Sequence, residues 1–291
     1  MGVITLHFAG YQPARSVHTR ALHALREGVA RRGMPHLSIF VTDNIVAAGH
    51  KAADLLPMVG SGELDGCYFA SSYLTHRVPG LAVFDQPFQA GSREEVFSRL
   101  DGTAGEALAR QVAASTAYCV LGWWDNGIRH ISNAVRPIHT PADCVGLRLR
   151  TLDNAQHQAA FRRLGFQPIF IDVADLPRAV ADRTVDAQEN PLTNMVNFGL
   201  HVHHRFISLT GHLVGVAPVL INRARYRALP DELRQAVTAA ALESVTLQRK
   251  LAIAEDAGCR KVLADAGVAL LELDATDRNR FRTAINDRTV H

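Results

Sequence analysis

Two hydrophobic periods alternate along most of this chain, and that alternation narrows the fold more than any single residue does. Residues 3–8 have the look of a strand, and 15–32 form an amphipathic helical pattern that ends at Arg31-Arg32-Gly33. A second strand is expected over 36–42, a second helix over 50–60 closed by Gly60, and a buried strand over 64–69. A helix over 92–114 and a strand over 118–122 follow, after an irregular stretch marked by Pro79, Pro87 and Gly91. From Gly127 the pattern restarts. Strand-like 128–131, a loop with Pro137 and Pro141, a strand ending at Arg150, helices over 155–164 and 173–183, and strands over 205–209 and 213–221 can be read in turn. Such alternation implies an α/β architecture with largely parallel sheets.

The last 61 residues after Pro230 contain no proline. Pro230-Asp231-Glu232-Leu233 is a good helix start, with acids in the first turn, and Leu233, Val237, Ala241, Val245 and Leu251 keep to one face. A helix to Ala257 would be roughly 40 Å long, enough to run along two lobes. Gly258 is a candidate kink, followed by a strand over 268–273 and a helix over 277–285.

At 291 residues the chain can bury a large core as one domain or two lobes. Its net charge of +3 comes from cations scattered among acids, which argues against nucleic acid as a partner. No apolar run reaches the ~18 residues that would call for membrane insertion. The first residues lead straight into a strand, so either the protein is cytoplasmic or an export signal was removed before this chain was defined. Cys67, Cys119, Cys144 and Cys259 form no CxxC or zinc-ribbon spacing.

Chemistry concentrates in two segments. Gly146-Leu147-Arg148-Leu149-Arg150 alternates apolar and basic residues, so the Arg150 guanidinium can project from a strand end, where clefts form in α/β sheets. Forty residues on, Val185-Asp186-Ala187-Gln188-Glu189-Asn190-Pro191-Leu192 places an amide before a helix-starting proline. A planar fork of donors and an oriented amide read as an anion clamp, and a small organic acid is the first ligand to suspect.

These segments, together with Asn126-Gly127-Ile128-Arg129-His130-Ile131-Ser132-Asn133, Pro141-Ala142-Asp143 and Ser208-Leu209-Thr210-Gly211-His212, resemble in sequence and order the DctP-type solute-binding proteins of TRAP transporters. Phe8-Ala9-Gly10-Tyr11-Gln12 and Gly62-Glu63-Leu64-Asp65 fit as well, so the likeness covers nearly the whole chain. The resemblance implies a two-lobed periplasmic-binding-protein-like α/β fold with multiple crossovers and a long helix spanning both lobes. Lobe 1 would comprise 1–125 plus 213–255, and lobe 2 126–212 plus 256–291. It further implies a periplasmic protein that captures a small carboxylate in an interlobe cleft and delivers it to the TRAP membrane permease subunits, without catalysis or cofactor. Alternatives are a two-lobed α/β enzyme acting on a small carboxylic acid, or a sensor-associated binding protein. Two departures stand out: Ala187 where the family usually has glycine, and Thr151-Leu152 where it often has Val-Pro.

By the same likeness Arg150 falls on the signature carboxylate-binding arginine, Arg129 on a second arginine near the ligand, and Asn190 on a ligand amide. Arg129 can equally be a structural ion pair with Asp125 or Asp143, and Asn190 can cap the helix opened by Pro191. Glu189 reads as structural, since an acid facing an anion repels it. Ser71, Ser72 and Tyr73 occupy a place where family members often touch the ligand's variable end. Tyr11, Trp124 and Asp172 lie next to expected strand ends, and His212 near a crossover. His201 and His203 lack a third metal ligand at suitable spacing, so His201-Val202-His203-His204 reads as a solvated loop. His18, His50 and His130 read as ordinary surface or core histidines.

Overall fold

A computed structural model describes residues 2–89 and 91–287. Met1, Ala90 and residues 288–291 of the expected lobes lie outside them. The chain divides into two compact units: unit 1 is Met1–Gly80, Phe97–Asp125 and Val216–Ile253, and unit 2 is Leu81–Val96, Asn126–Gly215 and Ala254–His291. Leu81–Val96, expected in the first lobe, therefore belongs to unit 2. The reason is packing: Phe88 stacks on Phe281 at 5.8 Å, its N–H donates to the His212 carbonyl, and Asp85 accepts from the Asn154 amide at 2.8 Å.

In unit 1, β1 (Ile4–Ala9) pairs in parallel with β2 (Leu37–Thr42) on one side and with β3 (Gly66–Tyr68) on the other. Helix α1 (Val17–Arg31) starts at Ser16, whose hydroxyl accepts the Thr19 N–H, and buries Ala21, Leu22, Leu25 and Val29 at helical spacing. Short α2 (Leu55–Ser61) leads to β3, as the βαβ reading requires. The helix expected over 92–114 is two, α3 (Arg93–Leu100) and α4 (Thr103–Ser115). Gly102 takes an extended conformation at the break, and a Cβ on Gly105 would stand 1.8 Å from the Leu100 carbonyl oxygen, so the turn is too tight for a continuous helix.

Two strand pairs expected as separate elements are single long strands, β4 (Tyr118–Asn133) and β8 (Phe206–Asn222). Gly127, at φ 80°, lets β4 bend instead of ending, and a Cβ there would strike Pro191 at 2.5 Å. In unit 2, β5 (Arg148–Thr151) is parallel to both β6 (Gln167–Phe170), which the sequence reading missed, and β7 (Ala187–Pro191); β7 is antiparallel to β4, and β9 (Ala269–Glu272) runs parallel to β8. Helices α5 (Ala155–Arg163), α6 (Leu176–Ala181) and α7 (Leu192–Asn197) alternate with these strands. One core joins Ile131, Leu149, Ala187, Phe161, Phe166 and Phe281; another joins Leu176, Val180, Val185 and Leu200.

After α8 (Arg223–Ala228), α9 runs from Asp231 to Asp265, 35 residues without the kink expected at Gly258. A lone glycine lowers helix stability by about 1 kcal/mol but leaves every backbone hydrogen bond available. The chain closes with α10 (Ala275–Asn286). Among the described residues no helix is long and apolar enough to cross a membrane.

Candidate functional site

Parallel strands β6, β5 and β7 end at one edge of unit 2, where α/β folds place their ligand groups. Strand register then sorts the side chains. Arg150 pairs with Gln188, Gln188 with Ser132, and Asn190 with His130, so all five share one face; Glu189 and Arg129 lie on the other.

Arg150 has no exposed surface. Its Nε donates to the Ile171 carbonyl at 2.8 Å, which aims the side chain, while Nη1 and Nη2 have no hydrogen-bond partner among the described residues. A buried guanidinium with two unused donor groups is costly unless an anion meets it. Two further buried oxygens, Thr151 Oγ1 next to Arg150 in β5 and Asp172 Oδ2 next to Ile171, also have no hydrogen-bond partner among the described residues; Asp172 Oδ1 accepts the Ala174 N–H at 2.9 Å.

Asn190 is oriented from both sides. Its Nδ2 donates to Gln188 Oε1 at 2.6 Å, and its Oδ1 accepts from Asn194 at 3.2 Å. Gln188 in turn donates to Ser132 Oγ, which lies 2.9 Å from His204 Nδ1. His204 is fully buried, and burial pushes its pKa down to about 4. That corrects the solvated-loop reading of 201–204: three of the four residues turn outward or half outward, while the fourth seats in this polar chain. Asn190 does not cap α7, whose N-cap is Pro191 and carries no side-chain bond.

On the opposite face Glu189 accepts from Arg129 Nε and, at 2.7 Å, from Arg129 Nη2. Both residues are buried, so the structure adds Glu189 as an ion-pair partner that neither candidate, Asp125 or Asp143, represented. Asp143 caps the turn at His139 and Thr140. His212 also binds Glu189, Nε2 to Oε2 at 3.2 Å, while its Nδ1 lies 2.7 Å from Thr210 Oγ1. Because the carboxylate can only accept, Nε2 carries the proton and Thr210 donates to Nδ1. With both nitrogens used, His212 holds Glu189 in place. Burial alone would raise the Glu189 pKa, but Arg129, His157 and His212 hold it far below the usual carboxylate range. The sequence reading of Glu189 as a structural acid agrees with these bonds.

His157, Glu189 and His212 present ligand atoms within 4.8 Å of one another, close enough to hold a metal ion. The Arg129 guanidinium already supplies the counter-charge on Glu189, and a second cation beside it would be repelled.

In unit 1 the sequence candidates fall into an aromatic cluster. Tyr11 lies 5.4 Å from Tyr68 and 5.3 Å from Phe69, Tyr73 meets Phe69 edge-on at 4.7 Å, and Trp124 lies 5.4 Å from Tyr68. Ser71 and Ser72 belong to the single turn Ser71–Leu74 after β3, with Ser71 buried. His18 stacks on Tyr68 at 4.8 Å and contacts the Gln12 amide oxygen at 3.3 Å, a role that its isolated position in the sequence did not announce. Trp124 is fully buried, and its indole N–H has no hydrogen-bond partner among the described residues.

The comparisons with known proteins agree with this architecture. A family model described as DctP, bacterial extracellular solute-binding protein, family 7, matches residues 11–289, and the chain belongs to that family. It is 30% identical over 237 residues to the 2,3-diketo-L-gulonate-binding periplasmic protein YiaO of Escherichia coli K12, covering 81% of this chain and 71% of that one. It is 32% identical to protein y4mM of Sinorhizobium fredii over 84% of this chain, but the match spans only 45% of y4mM. A TRAP periplasmic solute binding protein from Roseobacter denitrificans, solved with bound β-D-glucuronate, superposes with a TM-score of 0.92 at 27% identity, covering 97% of this chain and 92% of that one.

Proposed function

We propose that this chain is the periplasmic binding component of a TRAP transporter that captures a small organic acid, releases it unchanged to membrane permease subunits, and uses no cofactor. The observation that carries the reading is Arg150: wholly buried, aimed by Ile171, with both terminal amino groups unpaired. A carboxylate meets that fork with two parallel charge-assisted hydrogen bonds. Asn190, pre-oriented by Gln188 and Asn194, is assigned to the same carboxylate, and Arg129, whose charge is balanced by Glu189, is proposed as a second arginine near the ligand. Asp172 is assigned to an uncharged donor of the ligand. Ser71, Ser72, Tyr73, Tyr11 and Trp124 are proposed as determinants of which acid is accepted, because they offer hydrogen bonds and apolar surface without fixed charge.

Glucuronate and diketogulonate, named for two of the relatives, are sugar acids, so a screen begins with sugar acids and extends to dicarboxylates and short hydroxy acids. Titration calorimetry tests the reading directly. Arg150→Ala is expected to weaken acid binding at least about 30-fold, the lower end of what truncating a buried charge pair costs. Arg150→Lys is expected to recover little of it, since an ammonium cannot form the two-point contact. Near wild-type affinity in Arg150→Ala would remove the carboxylate assignment, and conversion of the acid during incubation would favour an enzyme instead.

A further inference from the structure

The hydrogen bonds behind Asn190 have a direction. Asn194 Nδ2 donates to Asn190 Oδ1 at 3.2 Å, Asn190 Nδ2 to Gln188 Oε1 at 2.6 Å, and Gln188 Nε2 to Ser132 Oγ at 2.5 Å. Ser132 Oγ stands 2.9 Å from His204 Nδ1, and all of these side chains are buried. Because the Ser132 hydroxyl already accepts from Gln188, its own proton goes to the imidazole. His204 Nδ1 is then the acceptor at which the relay ends, and the ring carries its proton on Nε2. Burial, which pushes the pKa of His204 down to about 4, keeps the ring uncharged and able to accept at neutral pH.

Shape alone does not choose this direction. The oxygen and nitrogen of an amide are nearly the same size, and every link also fits in reverse: His204 to Ser132, Ser132 to Gln188, Gln188 to Asn190 and Asn190 to Asn194. The two directions differ in what Asn190 offers. As the structure runs, Gln188 holds one N–H of Asn190 Nδ2 and the second N–H is left for an acceptor. In reverse, the same place holds the amide oxygen, which repels a carboxylate. A tautomer at one end therefore decides the polarity of a group three links away.

His204 is anchored for this task. It follows the turn Leu200–Val202, its backbone N–H donates to the Leu200 carbonyl at 2.9 Å, and it has no exposed surface. Strand register puts Ser132, Gln188 and Asn190 on the sheet face that also carries Arg150, so relay and arginine address the same side of β5 and β7. Resting on the organic-acid reading above, we propose that His204 is a positioning residue: as terminal acceptor it fixes the direction of the relay through Ser132 and Gln188, and so turns an N–H of Asn190, not its oxygen, to the ligand's carboxylate.

NMR of ¹⁵N-labelled wild-type protein reads the tautomer without ligand or variant. His204 is expected to show an unprotonated, hydrogen-bonded Nδ1 and a protonated Nε2, and a protonated Nδ1 would overturn the inference. Calorimetry with D-glucuronate and with succinate reads the consequence. For whichever acid binds, His204→Phe, which has no acceptor, is expected to weaken binding about 10-fold, the scale of one hydrogen bond to a charged group. His204→Asn, whose side-chain oxygen falls where Nδ1 stood, is expected to recover most of that loss. In an Asn190→Ala background His204→Phe is expected to change affinity by less than about twofold, since a residue that acts through Asn190 has nothing left to act on. The same loss in both backgrounds, or His204→Phe binding as wild type does, would overturn the inference and leave the organic-acid reading standing. Absence of binding by these and every other acid screened would overturn the organic-acid reading and the role of His204 with it.

Discussion

Arg150 and Glu189 illustrate two opposite ways of burying a charge in one unit. Glu189 is fully compensated by Arg129 and His212, whereas Arg150 keeps two donor groups unspent. Removing the charge of Glu189 should therefore be felt as stability and removing that of Arg150 as binding. Glu189→Gln leaves the Arg129 guanidinium buried against a neutral amide, and the expected loss is about 3 kcal/mol in urea unfolding, with the Arg150→Ala variant within about 1 kcal/mol of wild type or more stable than it. Equal losses in the two variants would show that the Arg150 charge is compensated in the free protein. Both residues stand out in the linear sequence, Arg150 by strand alternation and Glu189 by its neighbours. His204 does not, because its significance lies in the Ser132 hydroxyl brought against its ring from 72 residues away, a contact no spacing encodes.

At the scale of elements, the sequence located most strands and helices, and its errors have a common cause. It broke β4 and β8 at glycines and turn-like residues, joined α3 to α4 across Gly102, and expected a kink at Gly258. Each is a glycine whose consequence depends on what surrounds it. Gly258 lies exposed inside α9, and a Cβ added there would meet nothing within 4 Å, so nothing at that position requires glycine. Gly258→Ala is expected to stabilise the protein by about 0.5–1 kcal/mol, read as a higher urea midpoint at unchanged m value. Gly215 is the contrary case. A Cβ there would stand 2.9 and 3.0 Å from the carbonyl oxygens of Asn126 and Gly127, so Gly215→Val is expected to push β8 from β4 and cost about 2 kcal/mol or more by the same measurement. Strand β6 was missed because Gln167-Pro168-Ile169-Phe170 is short and carries a proline, which an edge strand tolerates.

Across the whole molecule the fourteen histidines matter as a set. Burial lowers the pKa of His18 to about 3 and of His157 and His204 to about 4, and lowers those of His130 and His212 as well. The folded values lie below the ordinary 6.5, so the unfolded chain binds more protons between them. The stability these residues contribute is complete above about pH 6.5 and declines as pH falls, and for His157, His204 and His18 it is gone once the folded values near 4 and 3 are passed. Each group alone would make stability fall by up to about 1.4 kcal/mol per pH unit inside its window. Urea unfolding free energy is expected to drop steeply from pH 7 to pH 5, and His204→Asn to flatten part of that slope. A stability profile level across this range would mean that the buried histidines are protonated in the fold.

The α/β class, the family, and the arginine strand with its Gln-Glu-Asn-Pro partner were determined by the sequence itself, because periodicity and short motifs are local and survive in one dimension. Tertiary structure alone decided which polar groups are satisfied. It gave Arg129 and His212 to Glu189, tied Asn190 into the chain through Gln188, Ser132 and His204, and moved Leu81–Val96 into unit 2 through Phe88. Hydrogen-bond satisfaction is set by neighbours brought together from distant segments, and a buried donor left over after that pairing, as at Arg150, exists only once the chain has folded.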